Sequence, residues 1–228
     1  MRIAIASDLH GRFGNINWPK DADILILAGD VLKNFDHNKE TDAIIQLDYI
    51  EESLDPHLRL LRELYKHIIF IPGNHDRVFE FHRKEATKRL SSATVLVDES
   101  LTIDGIRFYG APWTPWFFGH HWCFNLPEHP NRYKDKANLV WGNIPENVDV
   151  LITHGPPRGI LDEAGKGVRV GCQYLLERVR EIKPPLHVFG HIHENHGRVE
   201  KNGTTFINAS IVTGNYQPTN PVHVVEIL

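Results

Sequence analysis

The sequence predicts an α/β protein, and two observations carry that prediction. Short apolar runs, each suited to one buried strand, recur at 2–6, 23–28, 67–71, 148–153 and 186–189, with helix-patterned segments following several of them. Each run then stops at a polar cluster: Ser7-Asp8-Leu9-His10, Gly29-Asp30, Asn74-His75-Asp76, Thr153-His154-Gly155 and Gly190-His191-Ile192-His193. Open α/β sheets keep their sites beyond the carboxyl ends of strands, so these clusters are the candidate site.

Taken in order, Arg2 to Ala6 is the first strand. Asp23 to Ala28 is a second, so rich in Ile and Leu that both its faces should be buried, and Gly29 lets the chain turn before Asp30. From Glu40 to Lys66, the residues Ile44, Ile45, Leu47, Ile50, Leu54, Leu58, Leu61 and Leu64 predict the apolar face of a helix, which Pro56 should break or restart. His67 to Ile71 is the third strand, closed by Pro72-Gly73, and Phe79 to Leu90 is helical. Thr94 to Val97, Leu101 to Ile103 and Ile106 to Tyr109 predict short strands, the last two joined by an Asp104-Gly105 hairpin turn. The segment Ala111 to Arg132 is dense in Trp, Phe, Pro and His and predicts a long packed loop. A helix over Asn131 to Trp141, a strand over Val148 to Thr153, an amphipathic helix over Gly171 to Ile182 and a strand over Leu186 to Phe189 follow. Arg198 to Glu200, Thr204 to Asn208 and Val222 to Ile227 predict three closing strands. No repeat, low-complexity tract or linker interrupts the pattern, so one domain over 1–228 is expected.

Composition narrows the function classes. A formal charge of -4 gives no general electrostatic reason to bind a polyanion, so nucleic acid is not the expected partner. The N-terminus reads as a strand rather than a signal region, and no run reaches membrane-spanning length; a cytoplasmic protein without membrane association is expected. Cys123 and Cys172 have no CxxC spacing and read as free thiols. Fifteen histidines are the compositional oddity, because several of them stand at strand ends.

Those strand ends gather Asp8, His10, Asp30, Asn74, His75, His154, His191 and His193. In an extended segment, residues i and i+2 share a face, so Asp8 with His10, and His191 with His193, can each point into one site. Mixed carboxylate, imidazole and amide donors suit Mn, Fe, Zn or Ni; structural zinc would favour cysteine and calcium all-oxygen ligands. The set exceeds what one ion needs and suits two ions sharing a carboxylate, an arrangement about 3.5–4 Å across that recurs in phosphate ester chemistry.

The ordered motifs DLH, GD, GNHD, THG and GHIH resemble the calcineurin-like metallophosphoesterase superfamily. Further stretches, GAPWTPW, NLPE, THGPPRGILD, GCQYLL, FGHIHE and TTFINAS, resemble its branch of metallophosphoesterase-domain-containing, class III-like phosphodiesterases. The resemblance implies a four-layer α/β/β/α sandwich of two mixed β-sheets flanked by helices. It also implies two divalent metal ions, Mn first among the candidates, one held by Asp8, His10, Asp30 and His193 and the other by Asp30, Asn74, His154 and His191. A hydroxide bridging the two metals would be the nucleophile, and His75 would act as catalytic acid towards the leaving group. Many relatives orient that histidine with an acid three positions after the bridging Asp; here Lys33 stands there. The implied activity is hydrolysis of phosphate esters, with a phosphodiesterase on a small nucleotide-like, cyclic-nucleotide-like substrate favoured. A phosphomonoesterase or phosphoprotein phosphatase is the alternative, and a metal- and nucleotide-binding regulatory module with negligible turnover is an alternative of another class.

Other residues carry weaker expectations. Asn34 and Arg158 follow site clusters and are candidate substrate contacts. Arg77 is either a phosphate contact or a solvated charge. Trp113, Trp116, Phe117, Phe118 and Trp122 form either a wall for base stacking or a secondary core. Asp76 is a candidate support for the ligands or a helix cap, and Asn208 a candidate buttress for the histidines or a turn residue.

Overall fold

A computed structural model describes residues 1–14, 16–117, 119, 122–127 and 129–227 of the chain. The first sheet is assembled from β1 (Arg2–Ala6), β2 (Ile24–Ala28), β3 (His67–Ile71) and β4 (Thr94–Val95), all parallel. The second contains β5 (Glu99–Ile103), β6 (Ile106–Ala111) and β7 (Val150–Thr153). After a small hairpin of β8 (Glu163–Ala164) and β9 (Val168–Arg169), it continues with β10 (Leu186–Phe189), β11 (Gly197–Lys201) and β12 (Thr204–Asn208). The last strand, β13 (His223–Glu226), returns to pair antiparallel with β1. The orders are β13-β1-β2-β3-β4 and β11-β12-β10-β7-β6-β5; antiparallel edges make both sheets mixed.

Strand alternation explains why the sheets stack. Ile3, Ile5, Ile24, Ile26, Ile69 and Ile71 point from the first sheet into a shared core with Phe108, Val150, Ile152, Val188 and Ile207 of the second. The intervening Ala4, Ala6, Leu25, Leu27 and Phe70 face outward, under α1 (Lys39–Tyr49), α2 (Asp55–Leu61), α3 (Val78–Phe81) and α4 (Arg83–Arg89). On the far side Tyr109, Leu151, Phe189 and Phe206 are covered by α5 (Pro130–Gly142) and α6 (Gln173–Ile182). Helix, sheet, sheet, helix is the resulting order of layers, with the central parallel strands such as β2, β7 and β10 buried on both faces as an Ile/Leu/Val-rich run requires.

The expected restart at Pro56 is found: the segment divides into α1 and α2, separated by a π-helical turn at Ile50–Leu54, with Pro56 in the first turn of α2, where a missing N–H does no harm. Its expected apolar face is corrected, because Ile44 is 56% exposed, whereas Asp42, Ala43 and Gln46 point inward. The segment expected to be helical from Phe79 to Leu90 breaks at His82, whose φ of -131° is not helical. The β8–β9 hairpin was not anticipated, being too short to carry a period. No helix among the described residues is long and apolar enough to cross a membrane.

Candidate metal centre

All five polar clusters converge beyond the carboxyl ends of β1, β2, β3, β7 and β10. Asp8, His10 and His193 lie with one nitrogen or oxygen each within 4.8 Å of one another, and so do Asp30, His154 and His191; a third such group joins His10, Asp30 and His75. Asp30 therefore belongs to two groups and stands between the outer ligand sets. Asp8 Oδ1 is 3.4 Å from His193 Nε2, and His10 Nε2 is 3.4 Å from the same nitrogen. Across the centre, His154 Nε2 is 3.2 Å from Asp30 Oδ2 and 3.1 Å from Asn74 Oδ1.

The extended geometry expected for these pairs is not how they converge. Asp8, His10, Asp30 and His191 have φ of 56°, 46°, 51° and 67°, left-handed conformations that non-glycine residues seldom adopt. Backbone hydrogen bonds impose them: Asp8 N donates to Gly29 O and His10 N to Asp30 O, both at 2.9 Å. Strain of this kind collects at functional sites. Close backbone approach is required as well, because a Cβ on Gly29 would enter the His154 ring and one on Gly190 would collide with Ser7 and Asp8.

The donor set fits divalent ions. At metal–ligand distances of about 2.0–2.2 Å, neighbouring ligand atoms of a tetrahedral or octahedral shell sit about 2.8–3.6 Å apart, a range that contains the separations above. Asp8 and Asp30 are buried, and among the described residues their ion-pair partners are histidines. Burial works to raise both carboxyls, yet His193 draws Asp8 down to about 2, and His154 and His75 hold Asp30 well below the usual range. Burial alone would lower His154, but the Asp30 carboxylate lifts it to about 9. Burial keeps His10 at about 4 and His191 at about 3, so both rings are neutral near pH 7 and free to ligate. Two buried carboxylates with the neutral imidazoles of His10 and His191 and an amide make a cradle for positive charge.

His75 sits at the rim. Its backbone N donates to Asp30 Oδ1 at 2.7 Å, and its Nε2 lies 3.9 Å from Asp30 Oδ2. Its Nδ1 is 3.1 Å from Asn34 Oδ1, so the partner that Lys33 fails to supply comes from the next residue. Asn34, expected as a substrate contact, thus holds the histidine. Asp76 accepts from the backbone of Gly73 (2.7 Å), Leu32 (2.8 Å) and Val31 (3.3 Å), fastening the Asn74 turn to the Asp30 turn; burial, then the charge of Asp30, pushes it up to about 7. Asn208 donates to the carbonyl of Ile192, between His191 and His193, at 2.8 Å.

Two expected substrate contacts are corrected. Arg77 is buried; it pairs with Asp42 at 3.2 Å and donates to the carbonyl of Asp36 at 2.7 Å, so it neither reaches a ligand nor faces solvent. Trp113 donates to Asp98 at 2.9 Å and lies under Lys136, whose Nζ is 4.0 Å from its ring centre, away from the cleft. Trp116, Phe117 and Trp122 instead line a cleft of about 670 Å³ beside the centre, and Arg158 is part of the same lining. Phe118 lies outside the described residues.

Asp42 and Gln46 of α1 escaped notice in the sequence. Asp42 Oδ1 accepts from the backbone of Phe35 (2.5 Å) and Asp36 (2.8 Å), while Gln46 donates to the carbonyls of His75 (2.8 Å) and Lys33 (3.1 Å) and accepts from Val78 N at 3.0 Å. Together they hold the loops that carry Asn34 and His75. Two polar positions interrupting an apolar helix face were the available signal. Tyr216, a bulky residue at φ 57°, was also missed; its ring packs edge-on against His10 and His193, with centroids 5.0 and 4.9 Å away.

Comparison with known proteins supports the same class. The family model described as calcineurin-like phosphoesterase matches residues 1–195. The chain is 37% identical to human "Metallophosphoesterase domain-containing protein 1", covering 99% of this chain and 71% of that protein. It is 34% identical to "UPF0046 protein K07C11.7" of Caenorhabditis elegans, over 97% of this chain and 74% of the relative. Among solved structures, the phosphopantetheinyl hydrolase (PptH) of Mycobacterium tuberculosis superposes with a TM-score of 0.60 at 18% identity, covering 93% of this chain and 90% of that one, a likeness of fold. The protein belongs to the calcineurin-like phosphoesterase family. The family and the His/Asp clusters fit a metal-dependent phosphoester hydrolase with a dinuclear centre.

Proposed function

We propose that the protein is a phosphodiesterase acting on small nucleotide-like esters, cyclic nucleotides among them, in the cytoplasm and with manganese. Asp8, His10, Asp30 and His193 would hold one ion and Asp30, Asn74, His154 and His191 the other, with Asp30 common to both sets. The observation that carries the reading is the aromatic cleft of about 670 Å³ that opens from Asn74, His75 and His191, within the range of small-molecule sites. Phe117 and Trp122 stack at 5.5 Å between centroids and offer faces to a base. The buried thiols of Cys123 and Cys172 suit a reducing compartment.

Ions held there would supply Lewis-acid activation of water and neutralisation of the phosphate oxygens. His75 protonates the departing oxygen from Nε2, because Asn34 occupies Nδ1. Trp122, whose ring centre is 4.7 Å from that of His75, shields the proton from bulk water.

The test is a turnover panel on the manganese-loaded protein with bis-p-nitrophenyl phosphate and p-nitrophenyl phosphate. Preference for the diester is expected; a monoester preference replaces the reading with a phosphomonoesterase, and absence of turnover on both with a binding module. Asp30→Asn should lose both metals by elemental analysis, whereas His75→Ala should keep them and lose about 10²-fold to 10⁴-fold in kcat.

A further inference from the structure

A second recess reaches the centre from the opposite side of His75. It has a volume of about 500 Å³ and is bounded by His10, Arg12, Lys33, Asn34, His75 and Tyr216. His75 and Tyr216 also border the aromatic cleft, so these two side chains form the partition between the recesses. The Tyr216 wall is held in place: its left-handed backbone is fixed by a 2.7 Å hydrogen bond to Thr213 O, and its ring is braced on the edges of His10 and His193.

The two recesses differ in chemistry. The second contains two cations, and among the described residues neither has a carboxylate within ion-pair distance. Aromatic rings hold them instead. Lys33 Nζ lies 4.7 Å from the ring centre of Phe35 and 5.6 Å from that of Tyr49, and the Lys33 stem crosses Gly11 so closely that a Cβ there would meet Cγ and Cδ at 3.4 Å. The Arg12 guanidinium is 5.9 Å from the Tyr216 ring centre, with Nη1 3.4 Å from the carbonyl of His10. Cation–π contacts order a side chain without cancelling its charge. In a chain of net charge -4, two exposed cations in contact with aromatic rings and unneutralised among the described residues, beside the candidate metal centre, provide a place for a second anionic group.

We propose that the Arg12–Lys33 recess is an anion subsite, and that the substrate is a phosphodiester with an aromatic substituent on one side and a negatively charged substituent, a second phosphate or a carboxylate, on the other. This rests on the phosphodiesterase reading for the reacting phosphate, whose two ester arms the two recesses accommodate separately. The charged arm sets specificity; the aromatic arm binds by stacking.

Isothermal titration calorimetry of the manganese-loaded full chain tests the subsite without turnover, using 3-phosphonopropionate and propylphosphonate, near-isosteric probes that differ in a terminal carboxylate. The native protein should bind 3-phosphonopropionate about tenfold or more tighter, as one charge-assisted contact affords. In the Arg12→Gln/Lys33→Gln double variant the two affinities should agree within about twofold, with each single variant between the extremes. Equal affinities in the native protein, or a gap that survives in the double variant, overturn the proposal. Turnover of bis-p-nitrophenyl phosphate, measured on the same preparation, reports separately on the hydrolytic reading.

Discussion

His75 and Asn34 meet at 3.1 Å, and the hydrogen bond commits Nδ1 to the amide and leaves Nε2 for the acid role proposed above. A hydrogen bond of this kind contributes about 1–1.5 kcal/mol, so Asn34→Ala should lower kcat about tenfold while KM changes little. Burial, the largest influence on His75, holds its pKa below the usual histidine value. An acid must be protonated to act, so activity falls as pH rises through that pKa; a carboxylate at position 34 favours the imidazolium and should move the alkaline limb of Asn34→Asp to higher pH. Steady-state kinetics from pH 5 to 10 check both expectations. A variant profile superimposable on that of the native protein would remove Asn34 from the mechanism.

Helix α1 does more than cover the first sheet. Gln46 satisfies the carbonyls of His75 and Lys33 and the N–H of Val78, so Gln46→Leu leaves three backbone groups without this partner. Each buried unsatisfied group costs about 1–3 kcal/mol. At about 2–4 °C per kcal/mol for a chain of this size, thermal melting should show a fall in Tm of several degrees or more, with loss of kcat as the His75 loop loosens. On β10, His187 Nε2 donates to Thr153 Oγ1 at 2.9 Å, and Thr153 in turn donates to Gly155 O at 2.8 Å, bracing the turn that carries His154. Burial depresses the His187 pKa to about 3, from about 6.5 for an ordinary histidine. The unfolded chain therefore binds this proton first, and the contribution to stability is complete above about pH 6.5 and is lost as pH falls toward 3. The slope is about 1.4 kcal/mol per pH unit at most. Denaturant melts between pH 4 and 8 should give a shallower acid limb for His187→Gln than for the native protein.

At the scale of the molecule, the centre ties the two sheets together: Asp8, Asp30 and Asn74 come from the first, His154, His191 and His193 from the second. Ions bound there stabilise the folded chain by mass action, about 2.7 kcal/mol at a hundredfold excess over Kd. Chelation should therefore lower Tm by about 5–10 °C, and the shift should disappear in Asp30→Asn. Differential scanning fluorimetry with and without EDTA checks this, and an unchanged Tm in the native protein would show that the ions do not link the sheets.

The α/β class and the clustering of the candidate site residues were legible along the chain, because buried parallel strands are local apolar runs and their ends carry the site, whereas the four-layer arrangement was implied by the family resemblance. Arg2–Ala6, His67–Ile71, Leu186–Phe189 and Thr204–Asn208 stand where their residues predicted. Local pattern could not assign partners across the sandwich. Arg77 read as surface, yet Asp42 draws it inside; Lys33 seemed to leave His75 without a partner, yet Asn34 reaches it; Trp113 seemed to belong with the cleft aromatics, yet Asp98 turns it away. The inward face of α1 was misjudged for the same reason, since Gln46 is buried by the loops it holds rather than by its own polarity. Periodicity records which residues leave water, whereas the pairing of buried polar groups depends on which loops meet in three dimensions, and that followed from the stacking of the sheets.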